Sequence, residues 1–457
     1  MDTFHEKVEF IAEHEAEIKP LLSSDEKRDL GDINSEAAAD KFLERFETKA
    51  YRYEKPEGEF DPDAKRILIS FSDPSDFGQQ MPMIERLMVD KRCKGISVVT
   101  DNIAGLGFAK FVEAHPQFKQ ERSKDKLDNN DPQDDLVIPD IERAVEGVDI
   151  ALIGIESVNS PSGMMIFNAK STFGAKKLFI SNGGWNGVGG RKELFTKTGE
   201  MDQIDGMFVN DDLAKKITET QLPEELHEHI FATGTPAIDV LEISNGPKFE
   251  RAGRELLSIK DDEIALLYCG DISGEYEKMF NDYINPRINE ETFSKTLNVL
   301  KQVANQKPDK KFVLLVRPHP RDGNKEELLQ PQRDLPVNLR IVSAEKGIIS
   351  MQEAGYASDI VLSIISTENI LETLRGKEAV YLGYKDNGLG DSILKNVLGD
   401  DLPVVATHPG ITVIDSDDAL LKRLNGAHRN RAKEFQQSDD ESSSHSSIDN
   451  ILNIVFS

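Results

Sequence analysis

Positive charge is scarce in this chain of 457 residues: 55 Lys and Arg stand against 82 Asp and Glu, a formal net charge of −27. That balance argues against non-specific binding to nucleic acid or to anionic lipid surfaces, and it means that a phosphate-bearing ligand needs a local positive or dipolar pocket. Cysteine is scarcer still. Cys93 and Cys269 lie far apart, each beside an apolar strand-like run, so no disulfide framework and no Cys-based zinc site can be built, and reduced, buried thiols are expected. Long hydrophobic runs are missing. Nothing approaches the ~18 consecutive apolar residues of a membrane span, and the opening MDTFHEKVEFIAEHEAEIKP has neither the basic region nor the apolar core of a secretory signal, which leaves the cytosol as the default compartment. His115, His227, His229, His408 and His428 show no metal-ligand spacing, so no metal site is assigned. No G-x-x-x-x-G-K-[ST] is present, and no G-x-G-x-x-G follows the first strand with an acidic residue beyond the second, which disfavours P-loop and NAD chemistry.

What is present is a long alternation of apolar strands and helices. The length favours two or three domains, and a hydrophobic fraction of 38% beside 30% charged residues describes a globular protein with polar segments. Residues 1–60 read as a helical extension: Phe4, Val8, Ile11 and Ile18 recur at helical spacing, and a second helix is expected over 35–50. The pair carries no chemistry-bearing cluster and suits a packing or homo-oligomer contact. From Arg66 a βαβα pattern begins with RILISFS, SDFGQQMPMIERLMVD, GISVVT and NIAGLGFAKFVEAH. A charged loop, RSKDKLDNNDPQDD, interrupts it. It resumes with DIALIGI, a helix over 163–173, KKLFIS, a Gly-rich loop around Trp185, DGMFVN, DDLAKKITET and HIFATG, about six strands in all. A boundary falls near 245. Beyond it PKFERAGRELLSI leads to a second sheet of EIALLYCG, KFVLLVRP, LRIVS, DIVLSI, AVYLG and LPVVAT, with a long helix over 291–306. The reading divides into an extension (1–60), a first Rossmann-like domain (64–244), a second (245–425) and a polar segment with a tail (426–457), whose IDNILNIVFS is expected to dock on a domain surface.

The stretch 311–383 is the most informative. In an open parallel sheet, ligands bind outside the carboxyl ends of the strands, and here those exits carry Arg317, His319, Ser363, Ser366, Thr367 and Glu368. In VRPHPRD the prolines hold the backbone extended, so that Arg317, His319 and Arg321 can reach one place. Arg is a planar, always charged donor for pyrophosphate, and His can donate a hydrogen bond or shuttle a proton. A structural turn is the plain alternative. In SIISTENILETLRG, Ser366 or Thr367 either caps the following helix or, with the free N–H groups there, holds a phosphate, while Glu368 suits sugar hydroxyls.

These motifs carry a resemblance. FATGTPAIDVLE before the second domain, YCGD at its first strand, RPHP in its middle and SIISTENILETLRGKEAVYLG near its end resemble the nucleotide-sugar half of GT-B-type glycosyltransferases, in the neighbourhood of lipid-A-disaccharide synthase, UDP-N-acetylglucosamine 2-epimerase and the capsule and teichoic-acid glycerophosphotransferases. Ile365 stands where that family's segment has Gly, and Glu378-Ala379 where it has Pro. The resemblance implies an α/β fold of two Rossmann-like domains facing across a cleft. It implies an enzyme that transfers a sugar, or a phosphate-linked group, without a metal or other cofactor, from a nucleotide-diphosphate sugar to a hydroxyl acceptor such as a glycan, lipid or polyol. It makes Gly270, Arg317, Ser366, Thr367 and Glu368 donor contacts and His319 catalytic, with Glu372 holding a helix in place. In the first domain Asp76, with Asp73 second, stands where a general base or a helix cap belongs. Trp185 could stack on a sugar or base, with Arg191 and Lys192 beyond it facing an anionic acceptor. A 2-epimerase or hydrolase on the same scaffold, and a non-catalytic scaffold protein, are the alternatives.

Overall fold

A computed structural model describes residues 49–71, 74–100, 102–121, 144–154, 169–171, 173–182, 204–236, 246–270, 287–319, 325–330, 332–345, 348–364, 366, 368–384, 402–430 and 446–457. The N-terminal helices expected before residue 49, the charged loop after 121, most of the helix expected over 163–173, the Trp185 loop with Arg191 and Lys192, and Asp73, Arg321 and Thr367 lie outside them. The chain forms two compact units, one from Met1–Leu241 with Glu441–Ser457 and one from Glu242–Asp440.

The first unit holds an eight-stranded sheet in the order β4-β1-β3-β2-β5-β6-β7-β8. Its parallel body is β2 (Lys65–Phe71), β3 (Cys93–Thr100), β5 (Ile150–Gly154), β6 (Lys177–Asn182), β7 (Gly206–Val209) and β8 (Ile230–Ala232). Helices α1 (Pro74–Val89) and α2 (Asn102–Ala114) follow β2 and β3, and α3 (Asp212–Gln221) follows β7. The two remaining strands correct the sequence reading. Residues Lys49–Glu54, placed there in the helical extension, form β1, which pairs antiparallel with β3. Lys119–Glu121 forms β4 on the far side of β1. The alternation of KAYRYE explains β1: Tyr51 and Tyr53 are buried in the core with Phe108 and Phe118, as one face of a strand requires.

The second unit is a six-stranded sheet in the order β11-β10-β9-β12-β13-β14, every pairing parallel. Numbered from its own start this is 3-2-1-4-5-6, the doubly wound Rossmann order. Its strands are β9 (Glu263–Cys269), β10 (Lys311–Arg317), β11 (Leu339–Ser343), β12 (Ile360–Ser363), β13 (Glu378–Leu382) and β14 (Ile411–Ile414). Every residue of EIALLYC is buried, the continuous apolar run of a central parallel strand covered on both faces. Ile264, Leu266, Tyr268, Leu314 and Val316 face a core with α5 (Ile288–Gln306), the long helix, whereas Ala265, Leu267, Val313 and Leu315 pack with Ala354 and Ala357 on the other face. Around them stand α4 (Gly246–Leu256), α6 (Met351–Ala357), α7 (Glu368–Leu374) and α8 (Asp417–Asn425). LPVVAT is not the sixth strand. Pro403 precedes a short helix, Val404–Thr407, and Ile411–Ile414 supplies the edge strand beside β13.

The tail folds as α9 (Ser447–Phe456) and docks on the first unit. Ile448, Ile451, Leu452 and Val455 join the core under α1. Arg86 pairs with Asp449 at 3.2 Å, and Arg92 donates to Asn453 and lies 4.7 Å over the Phe456 ring.

Candidate functional site

The order of the second sheet fixes where a ligand belongs. Connections from β9 run to one side through β10 and β11, and those from β12 run to the other through β13 and β14, so the crevice opens at the carboxyl ends of β9 and β12. The residues there are level: Arg317 is in register with Cys269, Cys269 with Ser363, and Ser363 with Tyr381. With neighbouring strands ~4.8 Å apart, this row brings the exits of β9, β10 and β12 together.

Gly270 leaves β9, its N–H donating to the Arg317 carbonyl at 2.9 Å. A Cβ at Gly270 would come within 3.2 Å of Pro318 Cα and 3.3 Å of the His319 nitrogen, so glycine is what lets the β10 exit lie this close. His319 is half-buried in that exit.

The Arg317 side chain folds sideways over the sheet. Its Nη1 donates to the carbonyls of Ala344 at 2.6 Å and Ile349 at 3.0 Å, pinning the connection between β11 and α6. Its Nε and Nη2 make no hydrogen bond among the described residues. Burial lowers its pKa from the ordinary guanidinium value, and the nearby Cys269 and Glu368 oppose that shift. Arg317 is therefore both a structural clamp and a cation next to the crevice.

Beyond β12, Ser363 is wholly buried and its Oγ has no partner among the described residues. Sequence reasoning placed this residue at the strand exit without giving it a role. Ser366 caps α7, its Oγ accepting from the Glu368 N–H at 3.2 Å and its carbonyl from the Asn369 N–H at 3.1 Å. Thr367 lies outside the described residues. Glu368, half-buried at the start of α7, accepts a 2.6 Å hydrogen bond from Arg375 Nη1.

Arg375 is the residue that sequence reasoning missed. It stands at the end of α7, where Gly376 with φ +74° reverses the chain, the Gly376 N–H donating to Thr373 and the Lys377 N–H to Glu372. This is a Schellman closure, which needs a glycine at that place. Residues 368, 372 and 375 then share one helix stripe, and the same Nη1 that binds Glu368 binds the carboxylate of Glu372. Glu372 is wholly buried against Gly355 of α6, where any Cβ would run into its carboxylate. Its pKa is raised to about 8, chiefly by burial, with Arg375 opposing the rise and Glu368 adding to it. Burial acts against the Arg375 charge, but the two carboxylates outweigh it and its pKa is raised. A repeat of acidic and basic residues at i, i+4 and i+7 was the only signal, and it reads as an ordinary solvated stripe.

A second charged cluster occupies the opposite, amino edge of this sheet. Asp359, wholly buried ahead of β12, accepts from the Ala265 N–H at 2.8 Å and the Asn430 N–H at 2.7 Å and pairs with Arg429. Arg429 also pairs with Glu250 of α4, and Lys377 donates to the carbonyls of Tyr356, Ser358 and Asn430. Ligands of open α/β sheets bind at the carboxyl edge, so this cluster is structural.

In the first unit the corresponding crevice lies between β2 and β5, where the strand order reverses. Asp76 falls in the first turn of α1 directly after β2, beside that crevice. Thr100, at the end of β3, is buried with its Oγ1 unpartnered among the described residues. Among the described residues no cluster of three or more His, Cys, Asp or Glu could hold a metal ion, and no helix is long and apolar enough to cross a membrane.

No protein-family model matches the chain, and no curated protein matches it. Solved structures do. The UDP-GlcNAc 2-epimerase from Methanocaldococcus jannaschii is 13% identical, with a TM-score of 0.48 over 85% of this chain and 99% of that one. The UDP-GlcNAc 2-epimerase from Neisseria meningitidis bound to UDP-GlcNAc is 12% identical, with a TM-score of 0.47 over 79% of this chain and 90% of that one. The wall teichoic acid polymerase TagF is 13% identical, with a TM-score of 0.43 over 81% of each chain.

Proposed function

We propose that the second unit holds a nucleoside diphosphate at the β9–β12 crevice, and that the protein transfers the sugar, or phosphate-linked group, of a nucleotide-activated donor to an acceptor hydroxyl. The observation that carries this reading is the level row Arg317, Cys269 and Ser363 at the switch point of a 3-2-1-4-5-6 sheet. It gathers a guanidinium, a close-packed Gly270 backbone and an unpartnered hydroxyl where such sheets bind ligands. Three of the motifs through which the sequence resembles GT-B-type enzymes, YCGD, RPHP and SIISTENILETLRG, begin on β9, β10 and β12.

In this reading Arg317 offers Nε and Nη2 to the diphosphate while Nη1 keeps it fixed, so its charge is preorganised before the leaving group develops. His319 donates to the same group or returns a proton to it. Ser366 orients it by hydroxyl contact, and Glu368 accepts from sugar hydroxyls. Asp76, on the first unit, takes the proton of the acceptor hydroxyl. The acceptor is a glycan, lipid or polyol hydroxyl, and the N-terminal segment serves assembly.

A thermal-shift panel of UDP, CDP, GDP and ADP tests the donor site and identifies the base. One of them is expected to raise the melting temperature of the wild type and to do so much less for Glu368→Ala. If none of the four stabilises the protein, the reading is wrong and a non-catalytic scaffold takes its place. Incubation with UDP-GlcNAc alone separates the enzymatic alternatives, because turnover without an acceptor identifies an epimerase or hydrolase.

A further inference from the structure

We infer that Arg375 and Glu372 are positioning residues: Arg375 holds the Glu368 carboxylate at the edge of the crevice, and Glu372 shares that guanidinium in its protonated form. The inference rests on the reading of the β9–β12 crevice as a nucleoside diphosphate site and goes beyond it in assigning how the site's carboxylate is held.

The geometry is specific. One guanidinium nitrogen, Arg375 Nη1, serves both carboxylates, and the Arg375 side chain is only 4% exposed. Glu372 has no contact with solvent, and its Oε2 has no hydrogen-bond partner among the described residues. Gly355 leaves just enough room for that carboxyl group. The charged and titratable groups facing Glu372 are Arg375 and Glu368 of its own helix, Tyr356 of α6 and Lys377 ahead of β13. Lys377 directs its ammonium to three carbonyls at the opposite edge. Arg375 is thus the one cation hydrogen-bonded to Glu372 among the described residues. Two carboxylates cannot both be ionised around a single enclosed guanidinium without leaving a negative charge unneutralised in a low-dielectric interior. The proton goes to Glu372 because Glu368 keeps partial access to water whereas Glu372 has none. The full charge of Arg375 is then available to Glu368, whose carboxylate is fixed on its helix without a net charge in the cluster to repel a diphosphate. When Glu372 ionises it competes for the same Nη1 and adds a negative charge behind the site.

The test pairs binding with melting. Calorimetry with UDP, CDP, GDP and ADP at pH 7 is run on the wild type, Glu372→Ala, Glu372→Gln, Arg375→Ala and Arg375→Lys. Glu372→Ala and Arg375→Ala are expected to weaken the nucleotide that binds by tenfold or more, and Glu372→Gln, the neutral isostere, to restore most of that loss over Glu372→Ala. The wild type is expected to lose affinity as pH rises past about 8, and Glu372→Gln to lack that alkaline loss. Melting curves need no ligand. A buried acid that stays protonated when folded but ionises when unfolded costs stability as pH rises toward its folded pKa. The melting temperature of Glu372→Gln relative to the wild type should therefore be higher at pH 8.5 than at pH 5.5 by roughly 5 °C or more. If Glu372→Gln binds as poorly as Glu372→Ala, or its relative melting temperature does not move with pH, the inference is overturned. A wild type that binds none of the four nucleotides refutes the functional reading instead. The melts then decide alone: a pH-dependent gain upholds the protonated Glu372 beneath Glu368, and coincident curves overturn it.

Discussion

Arg317 shows how one residue can serve structure and site together. Its Nη1 satisfies two backbone carbonyls, Ala344 and Ile349, which would otherwise be left short of donors near a buried turn. Hydrogen bonds from a charged donor contribute about 1.5–3 kcal/mol each at most. Arg317→Ala is therefore expected to destabilise the second unit by roughly 2–3 kcal/mol, read as an earlier urea midpoint with an unchanged slope. Any loss of nucleotide affinity in that variant must be measured at a temperature where it is fully folded. Arg317→Lys separates the roles: a lysine can reach one carbonyl and offer a charge, but it lacks the planar fork for a diphosphate. Affinity should then fall more than stability. Equal losses in both would place Arg317 in the scaffold only. Sequence reasoning put Arg317 at the right strand exit because a cation after KFVLLV is a local signal. It could not see Arg375 as a partner of the site, because what distinguishes that residue is the burial of Glu372 against Gly355, a contact between separate helices.

At the scale of elements, the packing of α6 on α7 decides where Glu368 sits. Gly355 exists to admit the Glu372 carboxylate, so Gly355→Ala is expected to force the two helices apart and cost about 1–3 kcal/mol. The check is a melting curve, with Gly355→Ala in a Glu372→Gly background recovering part of the loss. A full loss in the double variant would contradict the contact. The elements themselves were legible where physics is local. Strands buried on both faces, such as EIALLYC and KFVLLVR, announce themselves as unbroken apolar runs, and α7 ends at its Gly376 as its sequence suggests. The edges were not. β1 depends on antiparallel pairing with residues 41 to 51 positions away, and its alternation adjoins a helical pattern. LPVVAT and ITVI are equally strand-like by composition. Pro403 caps a helical turn in the first, and only the pairing with β13 selects the second.

For the molecule as a whole, the first unit closes over a segment that arrives from elsewhere in the sequence, whereas the second is one contiguous stretch. The first unit recruits α9, and Leu452, 1% exposed in that core, should cost about 2–4 kcal/mol when cut to alanine. Limited proteolysis of Leu452→Ala is expected to release the tail first, and a tail as resistant as in the wild type would contradict its role in the core. The second unit is held at its amino edge by Asp359, which Arg429 neutralises beside Glu250. Arg429→Ala leaves a wholly buried carboxylate short of its principal counter-ion and is expected to destabilise that unit by about 3–5 kcal/mol. The division into two Rossmann-like halves was readable from strand spacing alone, because each half repeats the same alternation. The attachment of the tail to the first half was not, since an amphipathic helix fits many surfaces.

The proposed function requires a nucleoside diphosphate at the carboxyl ends of β9, β10 and β12. Photo-crosslinking with an azido-substituted analogue of the nucleotide that stabilises the protein, followed by peptide mapping, tests it most directly. Label is expected on peptides containing Gly270, Arg317–His319 or Ser363–Glu368, displaced by the unmodified nucleotide. Displaceable label confined to the amino edge around Asp359 and Arg429, or to peptides without any of these strand exits, would contradict it.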